Sequence, residues 1–251
     1  MKKLFFSIAL LFGLIGFSQT SDELFSAANN LYQEGKYTEA IEVYSSIEKQ
    51  GLKSADLFFN LGNCYYKLNK VAPSIYNYEK ALKINATHED ALINLTFAKR
   101  MTIDAIEELP KTFLQRFSLG VIQKLPFDSW AIIAVLASFL ASILFLMYHF
   151  STSSKKKLFY FNTSILATAL LIVTVLFAYH NFKTVKNNRT AIIFIDKVEI
   201  KNAPSTSSEE VFELHEGTKV VILDELENWK KIKIADGKIG WIYTDDLKEI
   251  N

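Results

Sequence analysis

Three kinds of hydrophobic patterning follow one another along the chain. Up to about residue 100, apolar side chains recur at helical spacing, as in Phe58, Leu61 and Tyr65, then after a break Ile75, Tyr78, Ala81 and Leu82. That spacing gives a helix one face to bury. Next come two runs without a formal charge, Trp130 to Phe150 and Leu158 to Phe182, of 21 and 25 residues. Each reaches the ~20 residues that carry a helix across ~30 Å of hydrocarbon. From Arg189 onward the period shortens to alternation, broken at Pro204, Glu216-Gly217, Glu227-Asn228 and Asp236-Gly237. This predicts five or six short strands, with Asp236-Gly237 as a hairpin turn. About 60 residues of this kind suit a small barrel and not a sandwich.

The helical part repeats itself at an offset of 34 residues: Asp22, Asp56 and Asp90 share a position, as do Asn29 and Asn63, Tyr32 and Tyr66, Tyr44 and Tyr78, and Asn60 and Asn94. Gly35 and Asn69 fall at the break in their copies and are the residue types that accept a left-handed backbone at a helix end. Each unit is therefore a helix, a tight turn and a second helix, with Gly62 facing the small Ser74 so that the two backbones approach. A third copy from residue 89 supplies only a first helix, expected to extend toward Leu109 and to start at a Thr87 cap with Asp90 three residues on. So short a stack is expected to gain support from the membrane or a partner. The single cysteine, Cys64, stands where Asn30 and Ala98 stand in the other copies and is expected to pack as a small hydrophobe.

The N-terminus, residues 1–19, has two lysines, an apolar run from Leu4 to Phe17 and small or polar residues after it, the pattern of a cleaved secretory signal peptide. Seven residues, 151–157, separate the two spans and end in three lysines, which makes them a cytoplasmic turn. Export of the N-terminus and two crossings then put residues 20–109 and 189–251 on the periplasmic side of the inner membrane. Lys183, Lys186 and Arg189, on the outer side, run against that charge rule. Trp130 and Tyr179 mark the outer interface, Tyr148 and Tyr160 the inner one, and His149 and His180 are read as interfacial. Residues 110–128 place Phe113, Leu114, Phe117, Val121 and Leu125 among Lys111, Arg116 and Lys124. They form either an amphipathic helix on the outer face of the bilayer, interrupted at Gly120, or a buried linker helix.

Charge and chemistry narrow the function. With 28 Lys+Arg against 27 Asp+Glu, the chain offers no bulk attraction to nucleic acid. One cysteine gives no intramolecular disulfide and no zinc cluster. No glycine-rich phosphate loop follows a strand, no nucleophile has a base at useful spacing, and no cofactor or metal is called for. The expectation is a binding protein and not an enzyme.

The run from Asp56 to Ala86 resembles the tetratricopeptide repeat family, with residues 21–54 a more divergent copy of 55–88. The resemblance implies a groove lined by Phe25, Asn29, Tyr32 and Gln33, by Phe59, Asn63, Tyr66 and Lys67, and by Ile93, Phe97 and Arg100. Family members that clamp C-terminal carboxylates need lysines where this chain has Phe25 and Asp90, so that specialised role is not expected. Residues 189–251, with Ala203-Pro204-Ser205, Gly217, Trp229, Gly237 and Gly240-Trp241-Ile242, resemble the bacterial SH3-like family. Trp241 is expected in the core, and Trp229 with Tyr243 along a peptide groove. The fold class is thus a multidomain membrane protein: an all-α tetratricopeptide repeat solenoid, a transmembrane hairpin (129–150 and 158–182) and a small all-β SH3-like barrel. That order of parts resembles the E-protein family of the Bacteroides aerotolerance (Bat) operon. It implies a scaffold for membrane proteins, Bat proteins with von Willebrand A domains among them, in envelope stress. The alternative partner is peptidoglycan, held by the barrel, and membrane lipid is expected around the hairpin.

Overall fold

The computed structural model describes residues 20–250; the expected signal peptide lies outside them. The chain divides into two compact units. One is formed by residues up to Glu107 together with those from Thr190 onward, the other by Glu108 to Arg189. The helical repeats and the C-terminal barrel therefore belong to one body, although 82 residues separate Glu107 from Thr190.

In the first unit, α1 (Ser21–Gln33) pairs with α2 (Tyr37–Lys49) and α3 (Ala55–Lys67) with α4 (Val71–Ile84), while α5 (Glu89–Lys99) has no second helix of its own. Each first helix has a side-chain cap. Thr20 and Glu23 make a reciprocal capping box, and Ser54 Oγ accepts from Leu57 N at 3.1 Å. The third cap is His88, whose Nδ1 accepts from Ala91 N at 3.3 Å. Thr87 is not the cap, because its hydroxyl donates to Asn85 Oδ1 at 2.9 Å in the preceding turn. Nor does the helix extend toward Leu109; it ends at Lys99 and the chain continues without regular structure. Tyr44, Leu57, Phe58, Leu61 and Cys64 fill the space between the pairs. Close approach is required at Gly62: Ser74 Oγ donates to its carbonyl at 3.1 Å, and a Cβ there would lie 2.6 Å from the Tyr78 ring.

Seven antiparallel strands form the sheet: β1 (Thr190–Ile193), β2 (Lys197–Lys201), β3 (Glu210–His215), β4 (Lys219–Leu226), β5 (Trp229–Lys233), β6 (Ile239–Tyr243) and β7 (Leu247–Glu249). They lie in the order β3-β2-β6-β5-β4-β1-β7. Alternation predicts fewer strands because β7 is three residues long, too short to carry a period. Ala191, Ile193, Ile200, Leu214, Val220, Ile232 and Ile242 form the barrel core. Trp241 is not among them. In β6 the buried positions are Gly240 and Ile242, so strict alternation turns Trp241 to the opposite face, where Lys231 Nζ stands 5.8 Å from its ring.

β1 explains why the two parts are one body. Ala191, Ile192 and Ile193 are all fully buried, because Ala191 and Ile193 face the barrel core while Ile192 joins Ile250 against Val71, Ala72 and Ile75 of α4. The barrel thus covers the outer face of α4 and supplies from within the chain the support a short stack needs. Polar ties surround this seam. Tyr76 donates to Glu249 O at 3.2 Å, Lys83 Nζ to Ile250 O at 2.6 Å, and Lys219 Nζ to the buried Glu79 at 2.6 Å. After α5 the chain crosses the barrel: Ile106 packs on its core, and Asp104 accepts from His215 N at 2.7 Å and Thr218 Oγ1 at 2.5 Å, with His215 Nδ1 at 2.7 Å. Gly217, at φ +85°, has Thr102 and Ile75 where a Cβ would stand.

The second unit contains α6 (Phe113–Gly120), a 3-10 turn (Ile122–Lys124), α7 (Phe127–Phe150) and α8 (Ser154–Asn187). α7 and α8 are both long and apolar enough to cross a membrane. Ala134 and Ala137 are buried on α7, and Ser164, Ala167 and Thr174 on α8. Small residues of this kind let two apolar helices pack closely, leaving the large side chains outside. Lys155, Lys156 and Lys157 stand in the first turn of α8 and not in the loop, which is Ser151 to Ser153.

Gly62→Ala is expected to lower stability by about 1–3 kcal/mol, the cost of overpacking. Tyr78 cannot yield, since its hydroxyl is bonded to Asn63. Chemical denaturation of the detergent-solubilised chain reads this, and an unchanged midpoint contradicts it. A second expectation concerns acid. Burial raises the Asp104 carboxyl, but hydrogen bonds from Thr218 and His215 outweigh it and hold the group below its ordinary value. The stabilisation is therefore complete above the ordinary carboxylate pKa of ~3.9 and is lost as pH falls through the depressed value. Asp104→Asn is expected to remove that acid step and to cost about 1.5–3 kcal/mol at neutral pH. Thermal melts across acidic and neutral pH test it, and a wild-type acid profile in the variant contradicts it.

Candidate functional site: a groove on the helical repeats

A cavity of about 230 Å³ opens on the repeats, lined by Tyr32 of α1, Asn63, Tyr66 and Lys67 of α3, and Asn94 and Phe97 of α5. Three first helices contribute to it, because the 34-residue period returns the same helix face in each copy.

A polar ladder fixes the asparagines. Asn63 Oδ1 accepts from Tyr78 OH at 2.7 Å and from Asn94 Nδ2 at 2.8 Å. One repeat earlier, Asn29 Oδ1 accepts from Tyr44 OH at 2.5 Å and from Asn60 Nδ2 at 3.1 Å. Both tyrosines are fully buried, and burial raises their phenols well above the ordinary value, so they remain neutral donors. With its oxygen committed to two donors, Asn63 has its amide nitrogen left to offer a ligand. Burial likewise pushes the Tyr32 phenol up, and Tyr32 meets Tyr37 edge to face at 5.3 Å. Lys67 and Phe97 are exposed at the rim, and the Arg100 guanidinium lies 5.4 Å from the Phe97 ring.

The structure thus brings Tyr32, Asn63, Tyr66, Lys67 and Phe97 around one cavity. Asn29 occupies the equivalent rung below it. Phe25 and Phe59 are partly buried in the core, Phe25 against Tyr44 at 5.6 Å and Phe59 against His88 at 4.9 Å. Gln33, Ile93 and Arg100 are exposed but do not line the cavity. Asn94 lines it without having been expected there, although its alignment with Asn60 was a usable signal. Cys64 lies behind the groove, fully buried, with its thiol pushed up to about 12 by burial, which disfavours the thiolate that a reactive cysteine needs.

On the barrel, Trp229 and Tyr243 are cross-strand partners on β5 and β6 and meet edge to face at 5.6 Å. Tyr243 is exposed and Trp229 half-buried. They present an aromatic pair at the surface.

Comparison with known families bears on both parts. The tetratricopeptide repeat model matches residues 55–88, the α3–α4 pair. Residues 21–54 lie outside that match and yet reproduce its asparagine–tyrosine bonding. No curated protein matches the chain. The bacterial SH3 domain model matches residues 196–248, from the approach to β2 into β7. Over these two stretches the chain is similar to domains that typically bind other molecules and do not catalyse.

Proposed function

We propose that the protein is a non-enzymatic scaffold, held in the inner membrane by the α7–α8 hairpin, whose repeat groove binds an extended segment of another membrane protein. The observation that carries this reading is the cavity at Tyr32, Asn63, Tyr66 and Phe97, with its asparagine held in one orientation. Aromatic faces offer apolar contact at low entropic cost, and a fixed amide N–H suits a peptide carbonyl. Lys67 and Arg100 favour a segment with an acidic residue beside its apolar ones.

A body built from both flanks of the hairpin supports the two flanks lying on one side of the membrane. The apolar N-terminus and the lysines at the start of α8 favour the periplasmic side. The order of repeats, hairpin and barrel favours a place beside Bat proteins that carry von Willebrand A domains, in the manner of the E protein of the Bat operon. A second reading, peptidoglycan binding through the barrel, is favoured by the Trp229–Tyr243 pair.

Asn63 supports the buried Tyr78 hydroxyl, so its replacement confuses binding with folding. Tyr32 packs on the repeat core and is left in place for the same reason; the informative variant is Lys67→Glu with Phe97→Ala, both exposed at the rim. Copurification of the tagged full chain in mild detergent is expected to lose its membrane-protein partner at least about tenfold, with the insertion and the melting curve kept. Unchanged recovery from the folded variant contradicts the groove. Loss of peptidoglycan retention on Trp229→Ala, with partner recovery intact, favours the second reading.

A further inference from the structure

The second unit holds an apolar surface that the hairpin alone does not explain. α6 begins with a capping box between Thr112 and Gln115 and exposes Phe113 (79%) and Leu114 (75%), with Phe117 partly exposed beside them. It is not a loose linker. Ser118 Oγ is 2.8 Å from His180 Nε2, and Gln123 Nε2 donates to Ser118 at 3.0 Å. The buried Asn181 donates to the carbonyls of Ile122 and Leu125 at 2.8 and 2.7 Å, and Trp130 Nε1 donates to Ile122 at 2.8 Å. Phe117 meets Phe177 at 6.3 Å.

These contacts set a depth. Those made to α8 fall between Phe177 and Asn181, before its first charge after the span, Lys183. At 1.5 Å per residue that is ~3–9 Å toward the membrane from the Lys183 backbone, where headgroups give way to acyl chains. The charge is predominantly positive: Lys111, Arg116 and Lys124 lie between the flanking Glu108 and Asp128, and Lys183 and Lys186 follow on α8, where no acidic residue occurs from 154 to 195. His180, Lys183, Thr184 and Asn188 line an open recess of about 580 Å³ at the same end of α8.

We propose that residues 111–125 are a half-submerged anchor in the leaflet that surrounds this end of the hairpin. Phe113, Leu114 and Phe117 enter the acyl chains, and the recess at Lys183, Thr184 and Asn188 takes the phosphate of an anionic phospholipid. The depth selects lipid as the occupant, because a surface at this level meets acyl chains first, and the excess of positive charge selects anionic headgroups. Lys183 and Lys186, which run against the charge rule for an outer loop, then have a role at the lipid phosphate. The proposal rests on the hairpin spanning the bilayer.

The test uses the full chain in nanodiscs containing phosphatidylglycerol. Cys64 is fully buried, so one added cysteine, Phe113→Cys or Leu140→Cys, takes an environment-sensitive fluorophore selectively. Lipids carrying a quencher near the headgroup or deep in the chain report depth. The label at 113 is expected to be quenched best by the shallow lipid, and the label at 140, on the exposed side of α7, by the deep one. Quenching at 140 with a water-like label at 113 overturns the anchor and leaves the span. A label at 113 shielded from water but unquenched by lipid means that protein covers it, which also overturns the anchor. No quenching at either site overturns the span and the anchor together. For the headgroup, Lys183→Gln with Lys186→Gln is expected to reduce phosphatidylglycerol retained in native mass spectra about fivefold or more. Unchanged retention overturns that part.

Discussion

The structure depends on the outer face of α4 being covered. A helical repeat buries its second helix against the first helix of the next copy, and here the third copy stops after α5, leaving no helix to close the stack. β1 does the closing. Its three consecutive buried residues serve two cores, Ala191 and Ile193 inward and Ile192 outward onto Val71 and Ile75. Without that contact α4 would expose Val71, Ala72 and Ile75, and Ile192 of β1 would face water. Asp104, Glu79, Tyr76 and Lys83 fix the register of the contact through bonds to barrel atoms.

The same contact reaches the groove. Tyr78 belongs to the apolar cluster that includes Ile192 and Ile250, and its hydroxyl holds Asn63 at the cavity. Tyr66 packs against that cluster and lines the cavity from its other side. The back wall of the groove therefore shares an apolar cluster with the docked barrel, which makes the barrel part of its support as well as a candidate binding module. An isolated C-terminal fragment would expose Ile192 and leave His215 and Thr218 without Asp104, so binding experiments on such a fragment would report a surface that the whole protein hides.

The sequence makes the parts legible and hides their union. The 34-residue offset reveals the helix pairs and which helix face forms the cavity, since each asparagine and tyrosine recurs in register. The charge-free runs reveal α7 and α8, and alternation reveals the strands. The seam is invisible because its partners are far apart, Tyr76 from Glu249 and Asp104 from His215, and each residue alone has an ordinary local explanation. The apolar run at β1 was the available clue: three buried residues in succession are one too many for a strand with a single core to face. Alternation also gives phase without saying which phase points inward, and a bulky strand aromatic usually packs, so the sequence favours Trp241 for the core that Gly240 and Ile242 occupy. The first residue of α5 shows a similar limit, because Thr87 and His88 are adjacent possible caps and the turn geometry at Asn85 decides between them.

Native-state hydrogen exchange on the full chain in nanodiscs, comparing wild type with Gly217→Ala, tests the union of repeats and barrel most directly. Gly217 belongs to the barrel, but the added methyl would meet Thr102, Ile75 and Val71 of the repeat half, from a backbone conformation that already disfavours a side chain. The account predicts that protection falls together in α4, α5 and β1. Lost protection confined to the barrel strands, with α4 and α5 exchanging as in the wild type, would contradict it.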